Sequence, residues 1–132
     1  MVAYSFQRRF CDQVANWQKR QTIRADRKRH ARPGEALQLY FAMRTKRCRK
    51  LISPDPVCVS VDPIVIMVPT GGGLATVAAL NQSRLMPVSD RFARLDGFQD
   101  AEDFTRFWFD AHGAGEFRGV LIRWGRYGAV PT

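Results

Sequence analysis

The chain has 132 residues, 45% hydrophobic and 25% charged, which fits one ordinary globular domain (1–132) and excludes a disordered or collagen-like chain. A chain of this length buries roughly two-thirds of its unfolded surface and needs no disulfide staples. Its net charge is +9, and residues 1–50 carry 14 Lys or Arg against three acids while residues 51–132 carry seven Arg against nine acids, so the excess reads as one basic patch for a polyanionic partner.

Phe6, Phe10, Val14 and Trp17 recur at spacings of four, four and three, which predicts an amphipathic helix with these four on its inner face. The densest basic run, residues 19–35, comes next and closes in the Pro33-Gly34 turn. ALQLYFAM (36–43) reads as a strand, from which Tyr40 and Phe41 face opposite ways, so one of them is core. VCVSVDPIVIM (57–67) reads as a second strand region that Pro63 bends or confines to an edge. TGGG (70–73) is a flexible turn, and LATVAAL after it suits either a strand or a helix. Asp96-Gly97 is a turn pair. Asp100 caps a helix through His112, with Phe104, Phe107 and Trp108 inward and Gly113 and Gly115 ending it. Its early acids, Asp100, Glu102 and Asp103, complement the helix dipole and are given no chemistry. FRGVLIRW (117–124) is a final strand. Two helices around four or five strands, without a βαβ rhythm, give an α+β class, best fitted by a small, partly closed β-barrel flanked by helices.

Several functions are excluded. No run approaches ~18 apolar residues, so no membrane span is expected. Charge interrupts the N-terminal MVAYSFQRRF before an apolar signal-peptide core can form. Cys11, Cys48 and Cys58 make no CxxC pair, and an odd count reads as reduced thiols in a cytoplasmic protein. Cys48, among Arg and Lys, has no histidine for a catalytic dyad and is expected to be half-buried. With only His30 and His112 as histidines, no metal is expected, and no phosphate-loop or dinucleotide motif implies a cofactor.

The sharpest chemical feature is Lys19-Arg20-Gln21-Thr22-Ile23-Arg24. In an extended backbone Thr22 and Arg20 share one face and Lys19 and Gln21 the other, while a turn would bring Lys19 to the Thr22 hydroxyl. A threonine hydroxyl needs a neighbouring base, and a lysine serves only as the neutral amine, a form that the cations Arg20, Arg24 and Arg27 favour. From spacing alone, Lys19 reads as a solvated helix-end cation and Thr22 as a β-former. The basic side chains Arg20, Arg24, Arg27, Lys28, Arg29, Arg32, Arg44, Lys46 and Arg47 form a candidate RNA or nucleoside surface, with Trp17, Tyr40 and Phe41 near them in sequence.

FQRRF, KRQTIR, the Pro-Gly-Glu that closes the basic run, LQLYFAMRTKRC and FARLDGF…EDF…FW together resemble an ASCH domain, over nearly the whole chain except residues 67–90. The resemblance implies the PUA-like fold, a small β-barrel flanked by helices, and RNA binding. It also implies, from small bacterial members, an amidohydrolase that removes the acetyl group of N4-acetylcytidine. The family's Lys-x-x-Thr gives Lys19 as proton acceptor and Thr22 as nucleophile, and its proton-donating glutamate falls on Asp96, an acid one methylene shorter. The partners implied are RNA or a modified nucleoside; the alternative is a non-catalytic RNA-binding module using the same basic surface.

Overall fold

The structure, a computed structural model, describes residues 2–79 and 84–126. Among them the chain forms β1 (Val2–Phe6), α1 (Arg8–Ala15), β2 (Gln21–Ala25), β3 (Leu37–Phe41), β4 (Arg49–Lys50), β5 (Val57–Val68), β6 (Thr76–Ala79), β7 (Met86–Pro87), α2 (Asp90–Leu95), α3 (Ala101–His112) and β8 (Gly115–Gly125). One sheet has three strands in the order β1-β3-β4 and the other five in the order β2-β8-β5-β6-β7. The class is α+β. No described helix is long and apolar enough to cross a membrane.

The first predicted helix is shorter than its aromatic spacing implies. Val2, Tyr4 and Phe6 are buried with Ala3 and Ser5 partly exposed between them, the alternation of a strand. Phe6 therefore belongs to β1, which pairs in parallel with β3 from Val2 opposite Leu37 to Phe6 opposite Phe41. Only Phe10, Cys11 and Val14 are buried along α1. Its end explains Trp17: Gln18 N–H donates to the Gln13 carbonyl and Trp17 N–H to the Val14 carbonyl, the paired bonds of a Schellman motif. That motif needs a left-handed residue after the cap, and here it is Trp17, at φ 68°. A bulky residue there costs on the order of 1 kcal/mol.

Pro63 neither breaks nor displaces β5. Cys58, Ser60, Ile64, Ile66 and Val68 keep one alternating face buried along twelve residues, and Pro63 lies on the other, exposed. The described ladder to β6 begins at Ile64 opposite Ala79, so the missing Pro63 N–H interrupts none of it. β5 is thus an interior strand of its sheet. The segment after TGGG is a strand, β6, and a helix not foreseen, α2, precedes the Asp96-Gly97 turn. α3 matches its sequence closely. Asp100 accepts from Asp103 N–H at the cap and Gly113, at φ 76°, ends the helix; Phe104 and Trp108 are buried while Phe107 is only half-buried.

The chain divides into two compact units. The first holds the described residues up to Thr22, Arg27–Val61, and those from Ile122 onward; the second holds Ile23–Asp26 and the described residues between Asp62 and Leu121. In the first, Tyr4, Val14, Leu37, Leu39 and Cys58 are at most 1% exposed. Here Tyr4 accepts the Ala31 N–H at its hydroxyl and pairs with His30 Nδ1 at 3.0 Å, fixing the end of the basic run to β1. In the second, Phe104 is fully buried and packs edge-on against Phe92 and Phe98. Gly119 of β8 is required for close approach, since an added Cβ would overlap the Arg24 carbonyl oxygen of β2.

Candidate functional site

Among the described residues the buried polar or charged side chains are Lys19, Gln21, Thr22, Ser60 and Asp96. Lysine and aspartate are rarely buried in globular proteins, and here one of each is. Lys19 is 3% exposed, which overturns its reading as a solvated helix-end cation. The reason is local. α1 stops at Ala15 and its Schellman turn folds the chain back, with Lys19 N–H donating to the Gln13 carbonyl. That carries the Lys19 side chain onto the inner aromatics, its Nζ 4.9 Å from the Phe10 ring centroid and 5.9 Å from that of Phe6. The rings offer the ammonium a π face in place of water.

Alternation governs the entry into β2. Lys19 and Gln21 are buried and Arg20 between them is exposed, and the Arg20 carbonyl accepts the Trp124 N–H of β8. From Gln21 to Ile23, three consecutive residues are buried, so both faces of β2 are covered there and Thr22 is 6% exposed. Thr22 is a strand residue, as its β-branched side chain predicts. Lys19 and Thr22 both belong to the first unit.

Asp96 belongs to the second unit and is 3% exposed. It is the C-cap of α2. Phe98 N–H donates to the Ala93 carbonyl and Gly97 N–H to the Arg94 carbonyl, with Gly97 at φ 98°, so the predicted turn is a second Schellman motif. The end of a helix attracts cations, not carboxylates, so capping does not account for an acid there.

The basic side chains sort into distinct groups. Arg24, in the second unit, is half-buried, and Arg20 is exposed. Arg27 is exposed but tied to the surface: its guanidinium donates to the Arg29 and Ala3 carbonyls and lies 4.5 Å from the Tyr4 ring centroid. Arg29 is paired with Glu35. Lys28, Arg32, Arg44, Lys46 and Arg47 are exposed and form no ion pair among the described residues. The loop carrying the last three starts with Ala42 at φ 52° and Arg44 at φ 68° and is anchored by Met43 N–H donating to Ser5 Oγ.

Sequence reasoning missed one cluster. Phe41 lies between two guanidinium groups, Arg8 at 4.9 Å and Arg49 at 5.4 Å from its ring centroid. Neither Tyr40 nor Phe41 is core, since both are half-buried. The register that brings Phe6 opposite Phe41 places α1 beside the end of β3, a parallel pairing that no local pattern announces. Cys48 is exposed rather than half-buried, whereas Cys11 and Cys58 are buried. Burial pushes the Cys58 thiol up to about 11, with nearby Glu35 adding to the effect. No cluster of metal-ligating side chains occurs among the described residues.

Comparison with known proteins gives no match: no family model, no curated protein and no solved structure aligns significantly with the chain.

Proposed function

We propose that the chain is an ASCH-type, PUA-like protein that recognises a modified nucleoside or RNA, and that Lys19 and Thr22 deacetylate N4-acetylcytidine. One observation carries this reading. The resemblance assigns proton transfer to Lys19 and Asp96 and attack to Thr22, and Lys19 and Asp96 are the only formally charged side chains buried among the described residues, with Thr22 buried as well. Burial of such groups opposes stability unless they are compensated, and each of the three has an interaction within the fold. The described residues form two sheets and no closed barrel; the PUA-like barrel rests on the resemblance.

In the proposed reaction, neutral Lys19 takes the proton of the Thr22 hydroxyl as its oxygen attacks the acetyl carbonyl. The tetrahedral intermediate collapses with loss of the cytidine amine, whose proton the resemblance draws from Asp96, and the acetyl group remains as an ester on Thr22. Water then attacks the ester and its proton restores the acid that protonated the amine, Thr22 takes back its own from Lys19, and acetic acid leaves and ionises to acetate. Backbone amides are the groups proposed to hold the oxyanion.

The test is incubation with N4-acetylcytidine. The wild type releases cytidine and acetate, Thr22→Ala and Lys19→Ala lose about 10²–10⁴-fold in rate, and Thr22→Ser, which restores a hydroxyl, recovers part of it. Asp96→Asn separately tests the donor assignment. Turnover by Thr22→Ala equal to wild type would refute the reading.

A second reading, a non-catalytic RNA-binding module, is favoured by exposed cations without an ion pair among the described residues, Lys28, Arg32, Arg44, Lys46 and Arg47 among them. Hydrolysis of a single nucleoside does not require them. It predicts retention of single-stranded RNA that falls steeply with salt, with no release of acetate.

A further inference from the structure

We propose that a groove in the second unit, between the loop after β5 and one face of α3, binds a free α-amino acid with a large apolar side chain. The groove has a volume of about 580 Å³ and is lined by the end of β5, the 70–74 loop and four residues of α3. It contains none of Lys19, Thr22 or Asp96, so the inference stands apart from the reading above.

The helical wall arises from sequence. Glu102, Thr105, Arg106 and Phe109 are spaced by three, one and three residues, which puts them on one face of α3. Thr105 builds the floor, because its hydroxyl donates to the Ala101 carbonyl and accepts the Ala75 N–H, tying the far end of the loop to the helix. On the loop side Gly72 and Gly73 leave the backbone uncovered, since a Cβ added at either would meet nothing within 4 Å. Leu74 and Phe109, 41% and 49% exposed, give the groove its apolar surface.

Charge selects the ligand. Glu102 and Arg106 stand one helical turn apart, their Cβ atoms about 5–6 Å from each other, and neither forms an ion pair among the described residues. A carboxylate matches the guanidinium fork of Arg106, and an ammonium matches Glu102. Only a free amino acid carries both groups on one carbon; a peptide holds them at opposite ends. The next turn of α3 brings Phe109, and Leu74 also lines the groove, so the side chain that fits is aromatic or a large aliphatic. The volume lies within the roughly 300–1,000 Å³ of small-molecule sites and leaves room for such a side chain.

The experiment is an NMR titration of the whole protein with L-phenylalanine, N-acetyl-L-phenylalanine, L-phenylalaninamide, L-alanine and adenosine monophosphate. Saturable shifts from L-phenylalanine are expected at the amides of 70–74 and 102–109. Removing either ligand charge weakens binding at least ~10-fold, the worth of one charge-assisted hydrogen bond. Glu102→Gln does the same to L-phenylalanine and leaves N-acetyl-L-phenylalanine unchanged, Arg106→Gln leaves the amide unchanged, and Phe109→Ala erases the preference over alanine. All three side chains are exposed, so the variants fold, and unchanged shifts elsewhere verify that. Absence of saturable shifts at millimolar L-phenylalanine, indifference to both charge deletions, or tighter binding of the nucleotide would overturn the proposal.

Discussion

In the first unit hydrogen bonds and an ion pair fasten the loops; the second adds to its loop hydrogen bonds a chain of edge-on and tilted rings. Tyr4 holds Ala31 and His30, Ser5 holds the start of the 44–47 loop, and Arg29 pairs with Glu35 across the Pro33-Gly34 turn. The second unit, where Thr105 holds Ala75, also carries an aromatic chain running from Phe92 through Phe104, Phe98, Phe107 and Trp108 to Phe117. Their surfaces differ to match. Exposed cations without an ion pair among the described residues occur in both, Lys28, Arg32, Arg44, Lys46 and Arg47 in the first unit and Arg84, Arg91, Arg94 and Arg106 in the second, whereas the exposed large apolar residues among those described, Leu74, Leu85, Met86, Leu95 and Phe109, all lie in the second. A basic, polar-stitched surface suits a polyanion, and an apolar one with isolated charges suits a small ligand. The global +9 is therefore a property of one part of the molecule.

The contrast can be broken in graded ways. Gly119→Ala strikes the strand packing in the second unit, where its Cβ would overlap the Arg24 carbonyl. A destabilisation of about 3 kcal/mol, the upper end for overpacking, is expected by denaturant unfolding, and an unchanged midpoint would show that β8 approaches β2 less closely. Next, replacing Arg44, Lys46 and Arg47 together by Gln is expected to weaken single-stranded RNA binding about tenfold and to lower the salt slope by about 0.7 for each phosphate no longer neutralised. The matched replacement of Arg91, Arg94 and Arg106 in the second unit is expected to change neither; equal effects from both sets would erase the contrast. Tyr4→Phe, which leaves the buried Ala31 N–H unsatisfied, is expected to cost about 1–2 kcal/mol.

The smallest effect concerns the thiols of the first unit. Cys48 is exposed, while burial raises Cys58 to about 11 and also raises Cys11. A thiol reagent at pH 8 is expected to modify Cys48 rapidly and the other two only on unfolding. Because the folded state holds the Cys58 proton more tightly than the unfolded chain, its contribution to stability is complete below pH 9 and is lost as pH rises towards about 11. Cys58→Ala flattens that alkaline decline, as unfolding at graded pH would show.

Much of the fold was legible where local rules decide. Asp100 and Gly113 announce α3 by its cap and its stop, and Asp-Gly announces the turn at Asp96. The failures occur where distant contacts decide. Phe6 and Phe10 are four apart as on one helix, yet a strand ends between them because β3 pairs with β1 from thirty-five residues away in sequence, as Val2 opposite Leu37 shows. Pro63 confines a strand to an edge only where a partner strand would need an N–H at that position, and register, not sequence, settles that. Lys19 and Thr22 were visible as a motif, but their burial was not. It depends on Trp17 adopting a left-handed conformation, which a bulky side chain disfavours and composition does not foretell.

The proposed reaction turns on covalent acetylation of the buried Thr22 hydroxyl. An acid-quenched reaction with N4-acetylcytidine, digested and mapped by mass spectrometry, tests it most directly. An acetyl group on the peptide containing Thr22, absent from Lys19→Ala, is the predicted result; turnover without any adduct there, undiminished in Thr22→Ala, would contradict it.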